Sequence, residues 1–510
     1  MTRKIIFLFL CCLVSMGAMA QKSKSKVKEY DTYNYKRALE YAHDGEYEKA
    51  LESFANDVKE NPKSGYPYVY MSIIQLHLEK AGEALESANK AVQLLPKKDL
   101  EMRATAHAAR AEVYLTLGDS VSALTDYAEA IKLQPEEEEY LKDRAQPYYE
   151  LNQYDLADKD YQRITEVSPG SIMGFMGLGR NCNMREEWEK AAEYFTQASK
   201  LDNEYSSAYS FRAVSNKGMK KYSEAMDDII KAIEMDNDSK AFYELQHFDS
   251  LAYPTVKAKL KLQMMKKSNE FVWPYAMAII EEQQEHWKEA AEYYIKANEL
   301  EPSETLCKYV ATCYDELGDT DSQLLYLDKG LELDSTETEL IVRKAYVYLE
   351  RRDNERALEL VNSLFNEEDS ETYNYFNFYT RGHCYYVMGE FEKAVEDYTM
   401  AISDDDSLPF VYFGRARAYH ALGKTDLAKP DFEKVVELDS MNNGYNYRMY
   451  AHYYLGDRQK AVECLDSLLK EKNSDGNNYD AACLYSLMGE TDKALDYLET
   501  SLKKGYRSAS

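Results

Sequence analysis

Residues 104–137 read ATAHAARAEVYLTLGDSVSALTDYAEAIKLQPEE, and the spacing inside this stretch decides the fold. Small residues at Ala111, Ala123 and Ala130 alternate with the rings of Tyr114 and Tyr127, Gly118 interrupts the pattern, and Pro135 stops it. Apolar residues at i, i+3, i+4 and i+7 on either side of Gly118 predict two amphipathic helices. Gly118 marks the end of the first, where the chain must enter a left-handed conformation. The alanines let two antiparallel helices approach closely, and the rings fill the space beside them. Helices of about 12–15 residues are marginal alone, so such a pair needs neighbours to stack on.

The same pattern recurs along the chain. Gly382-Tyr385-Gly389-Ala394-Tyr398-Ala401, Ala416-Tyr419-Gly423-Ala428-Phe432 and Ala482-Tyr485-Gly489-Ala494-Leu498 repeat it. Weaker copies run through Gly45-Ala50-Phe54-Pro62, Ala145-Tyr148-Ala157-Tyr161-Pro169, Ala278-Trp287-Ala290-Tyr294-Ala297-Pro302 and Ala311-Tyr314-Gly318. Unit starts at 31, 65, 104, 138, 172, 206, 271, 304, 338, 375, 409, 442 and 475 capture every copy. In period, helix content and signature residues the chain resembles the tetratricopeptide repeat family, whose helix-turn-helix unit is about 34 residues long. The resemblance implies an all-α, right-handed superhelical solenoid of antiparallel helix pairs, of about 14 units. Its organisation is an N-terminal array over 31–237, a degenerate repeat or joint over 238–270, and a C-terminal array over 271–510. In the joint, Tyr253-Pro254 breaks helix between the halves, and Lys257, Lys259, Lys261, Lys266 and Lys267 form a basic run. Longer spacings before 104 and 375 are read as loop insertions around Lys97-Lys98-Asp99 and Glu367-Glu368-Asp369.

The N-terminus addresses the compartment. Arg3 and Lys4, the apolar run Ile5 to Val14 and the small-x-small site Ala18-Met19-Ala20 predict a signal peptide over 1–20. Cys11 and Cys12 lie inside the apolar run, without a small residue ahead of them, which argues against a lipoprotein signal. The expectation is secretion across an inner membrane to the periplasm, with a flexible basic leader over 21–30. The chain holds 62 Lys and Arg against 90 Asp and Glu, a net charge of −28. So acidic a surface repels phosphate backbones and anionic head groups, which argues against nucleic acid and membrane docking. No later stretch reaches the roughly 18 apolar residues a membrane span requires, so no direct membrane insertion is expected.

No chemistry is legible. A catalytic site needs a nucleophile, a base and an orienting group that converge. GxSxG, P-loop, GxGxxG and HExxH patterns are absent, and the eight histidines fall in different units. Cys182, Cys307, Cys313, Cys384, Cys464 and Cys483 form no CxxC pair and have no histidine at ligand spacing, so they read as unpaired thiols. No enzyme activity, cofactor or metal is expected. In the family this chain resembles, the first helix of each unit lines a concave surface along which ligands lie. Carried over, the groove residues are Phe376, Tyr379, His383 and Tyr386, then Phe410, Phe413, Arg417 and His420, then Asn443, Asn446, Tyr450 and Tyr453. Tyrosine and phenylalanine offer large contact area at low entropy cost, with Arg, His and Asn to fix a backbone. A stripe at this spacing also suits inter-repeat core, which is where Tyr114, Tyr148, Tyr385 and Tyr419 are expected. The equivalents from 172 and 206, such as Met173, Arg180, Ser207 and Lys217, are less aromatic. A clamp for a peptide's terminal carboxylate, known in parts of the family, is not reproduced: Lys308 stands beside Thr312, and Arg180 has no partner lysine in the adjoining unit. The expected function is a protein-interaction scaffold or adaptor of the bacterial envelope that binds a protein or extended peptide. The alternative is a structural protein that self-associates through its C-terminal repeat.

Overall fold

The computed structural model of the chain describes residues 30–236, 239–365, 374–439 and 447–506. The signal and leader residues through 29, the Glu367-Glu368-Asp369 insertion, Asn443 and Asn446 lie outside the described residues. Among the described residues there are 28 α-helices and no strand, and consecutive helices pack as pairs. The chain divides into two compact units, Met1–Val256 and Lys257–Ser510.

The repeat register follows from one backbone feature. Every regular unit turns between its helices through a left-handed residue at its fifteenth position. Seven of these are Gly45, Gly118, Gly318, Gly389, Gly423, Gly456 and Gly489. The other six are Glu79, Asn152, Glu186, Lys220, Glu285 and Arg352, all with φ between 57° and 61°. The thirteen predicted unit starts are therefore met, although six units lack the glycine that the turn favours. The turn closes on its own hydrogen bonds. Asp119 N–H donates to the Tyr114 carbonyl at 2.8 Å and Gly118 N–H to that of Leu115 at 3.0 Å. The Asp119 side chain then caps the second helix by accepting from Ser122 N–H at 3.0 Å.

The core lies where each second helix packs against the first helix of its own unit and that of the next. Phe54, Tyr127, Tyr161, Phe195, Tyr294, Tyr398 and Phe432, all on second helices, are buried, as are the alanines beside them. Tyr114, Tyr148, Tyr385 and Tyr419, expected in the core, are only half-buried. They sit near the C-terminal end of the first helix, and cations cover three of them: Arg110, Arg144 and Lys393 lie 6.0, 6.0 and 5.1 Å from the rings of Tyr114, Tyr148 and Tyr385. Five units also carry an ionic clasp. Arg110–Asp126, Arg144–Asp160, Arg212–Asp228, Arg381–Asp397 and Arg415–Asp431 are each bidentate, with N···O distances of 2.5–3.0 Å. The partners are 16 residues apart, which joins the first helix to the second within one unit. Bonds of this charge-assisted kind stabilise by about 1.5–3 kcal/mol.

The irregular places have local causes. The insertion before 104 is not all loop: Asp99 caps a 17-residue helix, Leu100–Thr116, so part of the extra length becomes an added helical turn. Tyr30, expected in the flexible leader, is packed, its hydroxyl donating to Asp57 at 2.5 Å and its ring stacked 4.8 Å from Tyr66. The degenerate repeat keeps two helices, Ser239–Leu245 and Tyr253–Lys266, with the first cut to two turns. Pro254 stands in the first turn of the second, where a missing N–H leaves no bond unmade. Lys217 fastens the short helix by donating to the Glu244 carbonyl at 3.0 Å and pairing with its carboxylate. All six described cysteines are free thiols.

Candidate functional site

Four first helices build the C-terminal face: Tyr375–Val387, Pro409–Ala421, Tyr447–Tyr454 and Asp475–Leu487. The repeat places His383, Arg417, Tyr450 and Cys483 at one position of successive units, so they form a row across the helices. Rings pack along it. Tyr379 meets Phe410 edge-on at 4.7 Å and lies 6.4 Å from His383, while Phe376 stays at its helix start against Tyr375 at 6.4 Å. The Arg417 guanidinium rests 4.6 Å from the Tyr386 ring and 5.7 Å from Phe413. Phe413 in turn touches Tyr447 at 5.3 Å and Tyr450 at 6.0 Å, and His420 meets Tyr454 at 5.0 Å.

Several of these residues are more enclosed than an open groove requires. Phe413 is only 8% exposed because Phe432, Tyr447, Tyr450 and Tyr454 surround it. Burial, with the Arg417 charge beside it, pushes the His383 imidazole down to about 4, so it is neutral at physiological pH. The Tyr450 hydroxyl donates to Asp480 Oδ1 at 2.9 Å, and Tyr453 donates to the Leu487 carbonyl at 2.6 Å. These two tyrosines therefore fasten one unit to the next.

A cavity of about 730 Å³ opens at this end of the row. Of the expected residues only Phe413, Arg417 and Tyr450 line it. The wall also includes Tyr447, Tyr454, Tyr479, Leu487 and Leu495, which the sequence reading missed, and Leu498, which it placed in the repeat pattern and the C-terminal edge rather than the groove. Tyr454 lies one residue round the helix from Tyr453, so the usable face there is rotated from the expected one. Leu495 and Leu498 come from a second helix, which a first-helix rule does not consider. The spacing of Leu495, Leu498 and Leu502 was the available signal.

The electrostatics of the cavity are simple. Arg415, two residues away, is held by Asp431, whereas no carboxylate pairs with Arg417 among the described residues. The wall thus offers rings, leucines and one available guanidinium. The Cys483 thiol is pushed up by burial and so stays protonated. Nothing here activates a nucleophile; the surface suits binding. In the units from 304 and 338 the first-helix cations are paired. Lys308 Nζ pairs with Glu339 at 2.7 Å, and Glu339 also holds Arg343 at 2.9 Å, which closes that face upon itself.

A family model for the tetratricopeptide repeat matches residues 411–440. A TPR repeat-containing protein of Methanocaldococcus jannaschii is 20% identical over 476 residues, covering 82% of this chain and 77% of its own length. Human tetratricopeptide repeat protein 6 is 26% identical over 186 residues, 36% of this chain and 34% of its own. Among solved structures, a tetratricopeptide repeat protein from Parabacteroides merdae aligns with 55% of this chain and 97% of its own at 21% identity and a TM-score of 0.36. Yeast Tom70 aligns with 84% of this chain and 96% of its own at 15% identity and a TM-score of 0.36.

Proposed function

The chain is a tetratricopeptide repeat protein, and from that premise we propose that it is a non-enzymatic adaptor of the bacterial envelope. Arrays of this family serve in general as scaffolds for protein interaction. The observation that carries the reading is the cavity beside Phe413, where rings and leucines flank an arginine that pairs with no carboxylate among the described residues. It takes an extended segment of a partner protein, with an apolar side chain in the cavity and a polar or acidic group at Arg417. Three or four ring contacts of about 1–2 kcal/mol each, less the cost of association, correspond to roughly micromolar affinity.

Leu487 and Leu495 are 41% and 58% exposed on the wall, so they can be changed without opening the core. We expect a partner recovered from envelope extracts by the wild-type chain to be lost by a Leu487→Asp, Leu495→Asp variant whose circular dichroism is unchanged. Recovery of the same partner by both proteins would remove the cavity from consideration. The export reading rests on the apolar run and the Ala18-Met19-Ala20 site. Cell fractionation with intact-mass measurement should find the chain in the periplasm, beginning at Gln21; a cytosolic chain that still begins at Met1 would overturn it.

A second reading, self-association through the C-terminal repeat, draws on Leu495 and Leu502, each 58% exposed on the helix Thr491–Lys503. Light scattering should then show an oligomer that Leu502→Asp dissociates; a monomer at every concentration would end that reading.

A further inference from the structure

The N-terminal compact unit holds a group of carboxylates that the adaptor reading does not use. Glu112 lies on the helix Leu100–Thr116, and Glu139 and Asp143 lie on the first helix of the next unit, Glu138–Glu150. Asp143 is only 9% exposed, and its Oδ2 has no hydrogen-bond partner. Its Oδ1 has Lys142 Nζ at 3.7 Å, but that amine is already bonded to Glu139. Glu112 accepts from the Tyr127 hydroxyl. Three carboxylates therefore share one ammonium group. The nearby arginines are committed elsewhere: Arg110 to Asp126, Arg144 to Asp160, and Arg180 to the ring of Tyr149 at 4.6 Å.

A buried carboxylate without a donor costs several kcal/mol, and holding a proton lowers that cost. Burial first, then the charges of Glu112 and Glu139, push the Asp143 carboxyl well above its ordinary range, and burial raises Glu112 as well. The other groups that face Asp143 are the hydroxyls of Tyr127, Tyr140 and Tyr161, all neutral. The side chains of Glu139 and Lys142 are 44% and 29% exposed and form the open side of the cluster.

We propose that this cluster is a recognition site for a cationic side chain, a lysine or arginine on an extended segment of a partner. The incoming group enters past Glu139, gives Asp143 Oδ2 the donor it lacks, and takes over from the proton in offsetting the charges of Glu112 and Glu139. Asp143 releases its proton to the solvent as the cation takes its place. The site lies wholly in the N-terminal compact unit, so it stands or falls independently of the cavity beside Phe413.

The test is calorimetric titration of the full chain with acetyl-Ala-Ala-Lys-Ala-Ala-amide and its arginine and norleucine analogues, at pH 7 in two buffers of different ionisation enthalpy. The cationic peptides should bind at least about tenfold more tightly than the norleucine peptide, with a net release of protons on binding. Asp143→Asn has the shape of the protonated acid, so the variant should fold at pH 7. It should lose the proton release and about tenfold in affinity. Glu139→Gln, on the open side, should lose affinity and provides a second variant if Asp143→Asn melts early. Equal affinity of wild type and both variants for the lysine peptide would mean that only the overall negative charge attracts it, and the proposal would fail. It would fail equally if the wild type bound the norleucine peptide as tightly as the lysine peptide.

Discussion

Two first-helix faces of this chain are built on the same backbone and filled in opposite ways. In the units from 104 and 138 the face carries Glu112, Glu139 and Asp143, carboxylates short of donors. In the units from 375 and 409 the position of Glu112 carries His383 and Arg417, with the rings of Tyr379 and Phe413 one turn before them, and no carboxylate pairs with that guanidinium among the described residues. Beneath both faces the second helices are alike: Tyr127 and Phe432 occupy the same place, and the Arg110–Asp126 and Arg415–Asp431 clasps join the same two helices. The difference teaches that the repeat assigns stability to the second helix and the turn. The first-helix face is thereby left to vary with what it must meet.

The hardest way to break this comparison is to attack what the two regions share. Tyr127→Ala and Phe432→Ala each remove a ring that is buried in its unit. Each should cost about 3–5 kcal/mol, and the two costs should be similar. Hydrogen exchange read separately in the two compact units checks this. A large loss in one unit and none in the other would show that the second helices are not equivalent supports.

Acid should separate the two faces by sign. His383 has its folded value depressed to about 4, against about 6.5 unfolded, so its contribution is complete above pH 6.5 and is lost as pH falls through 4. By pH 5 the C-terminal unit should have lost about 2 kcal/mol on this account, and His383→Phe should flatten the profile between pH 7 and 5. Asp143 behaves oppositely. Its folded value is raised, so its contribution is present at acid pH and disappears as pH rises through that value. The N-terminal unit should therefore gain stability on the same acid titration, and Asp143→Asn should remove the gain. Profiles of the same sign in both units would contradict the contrast between the faces.

Much of the fold was legible because it depends on residue size at fixed spacing. Ala123, Tyr127 and Ala130 fix how closely two helices approach, and Gly118 fixes where the first one turns. The ionic clasps were within reach too, since an arginine followed 16 residues later by an aspartate recurs at the same position of five units. The candidate site was less legible. Phe413 and Tyr450 were expected on an open face, yet which rings stay open depends on neighbours from adjoining units, and those neighbours enclose both. Leu487 and Leu495 looked like ordinary helix positions until the packing left them uncovered. Buried Asp143 offers no pattern at all, because an aspartate in an acidic solenoid is nearly always a solvated one.

The smallest expected effect concerns the turns, where the two compact units again differ. In the N-terminal unit four of the six regular turns place a side chain in the left-handed region, at Glu79, Asn152, Glu186 and Lys220. In the C-terminal unit only Glu285 and Arg352 do so, and glycine serves the other five turns. A left-handed residue with a Cβ is strained by about 1–2 kcal/mol, less for asparagine, while glycine adds freedom to the unfolded chain that takes part of this back. Lys220→Gly and Glu186→Gly should therefore each raise stability by about 1 kcal/mol or somewhat less, and Asn152→Gly by only a few tenths. Gly118→Ala should lower it by about 1 kcal/mol, since nothing lies within 4 Å of the added methyl and strain alone is introduced. Urea titrations should show these as shifts in midpoint at unchanged slope. If Lys220→Gly is neutral or harmful, the lysine at that turn is held by more than its backbone. The four side chains of the N-terminal turns would then belong with the variable faces of the repeat rather than with its shared frame.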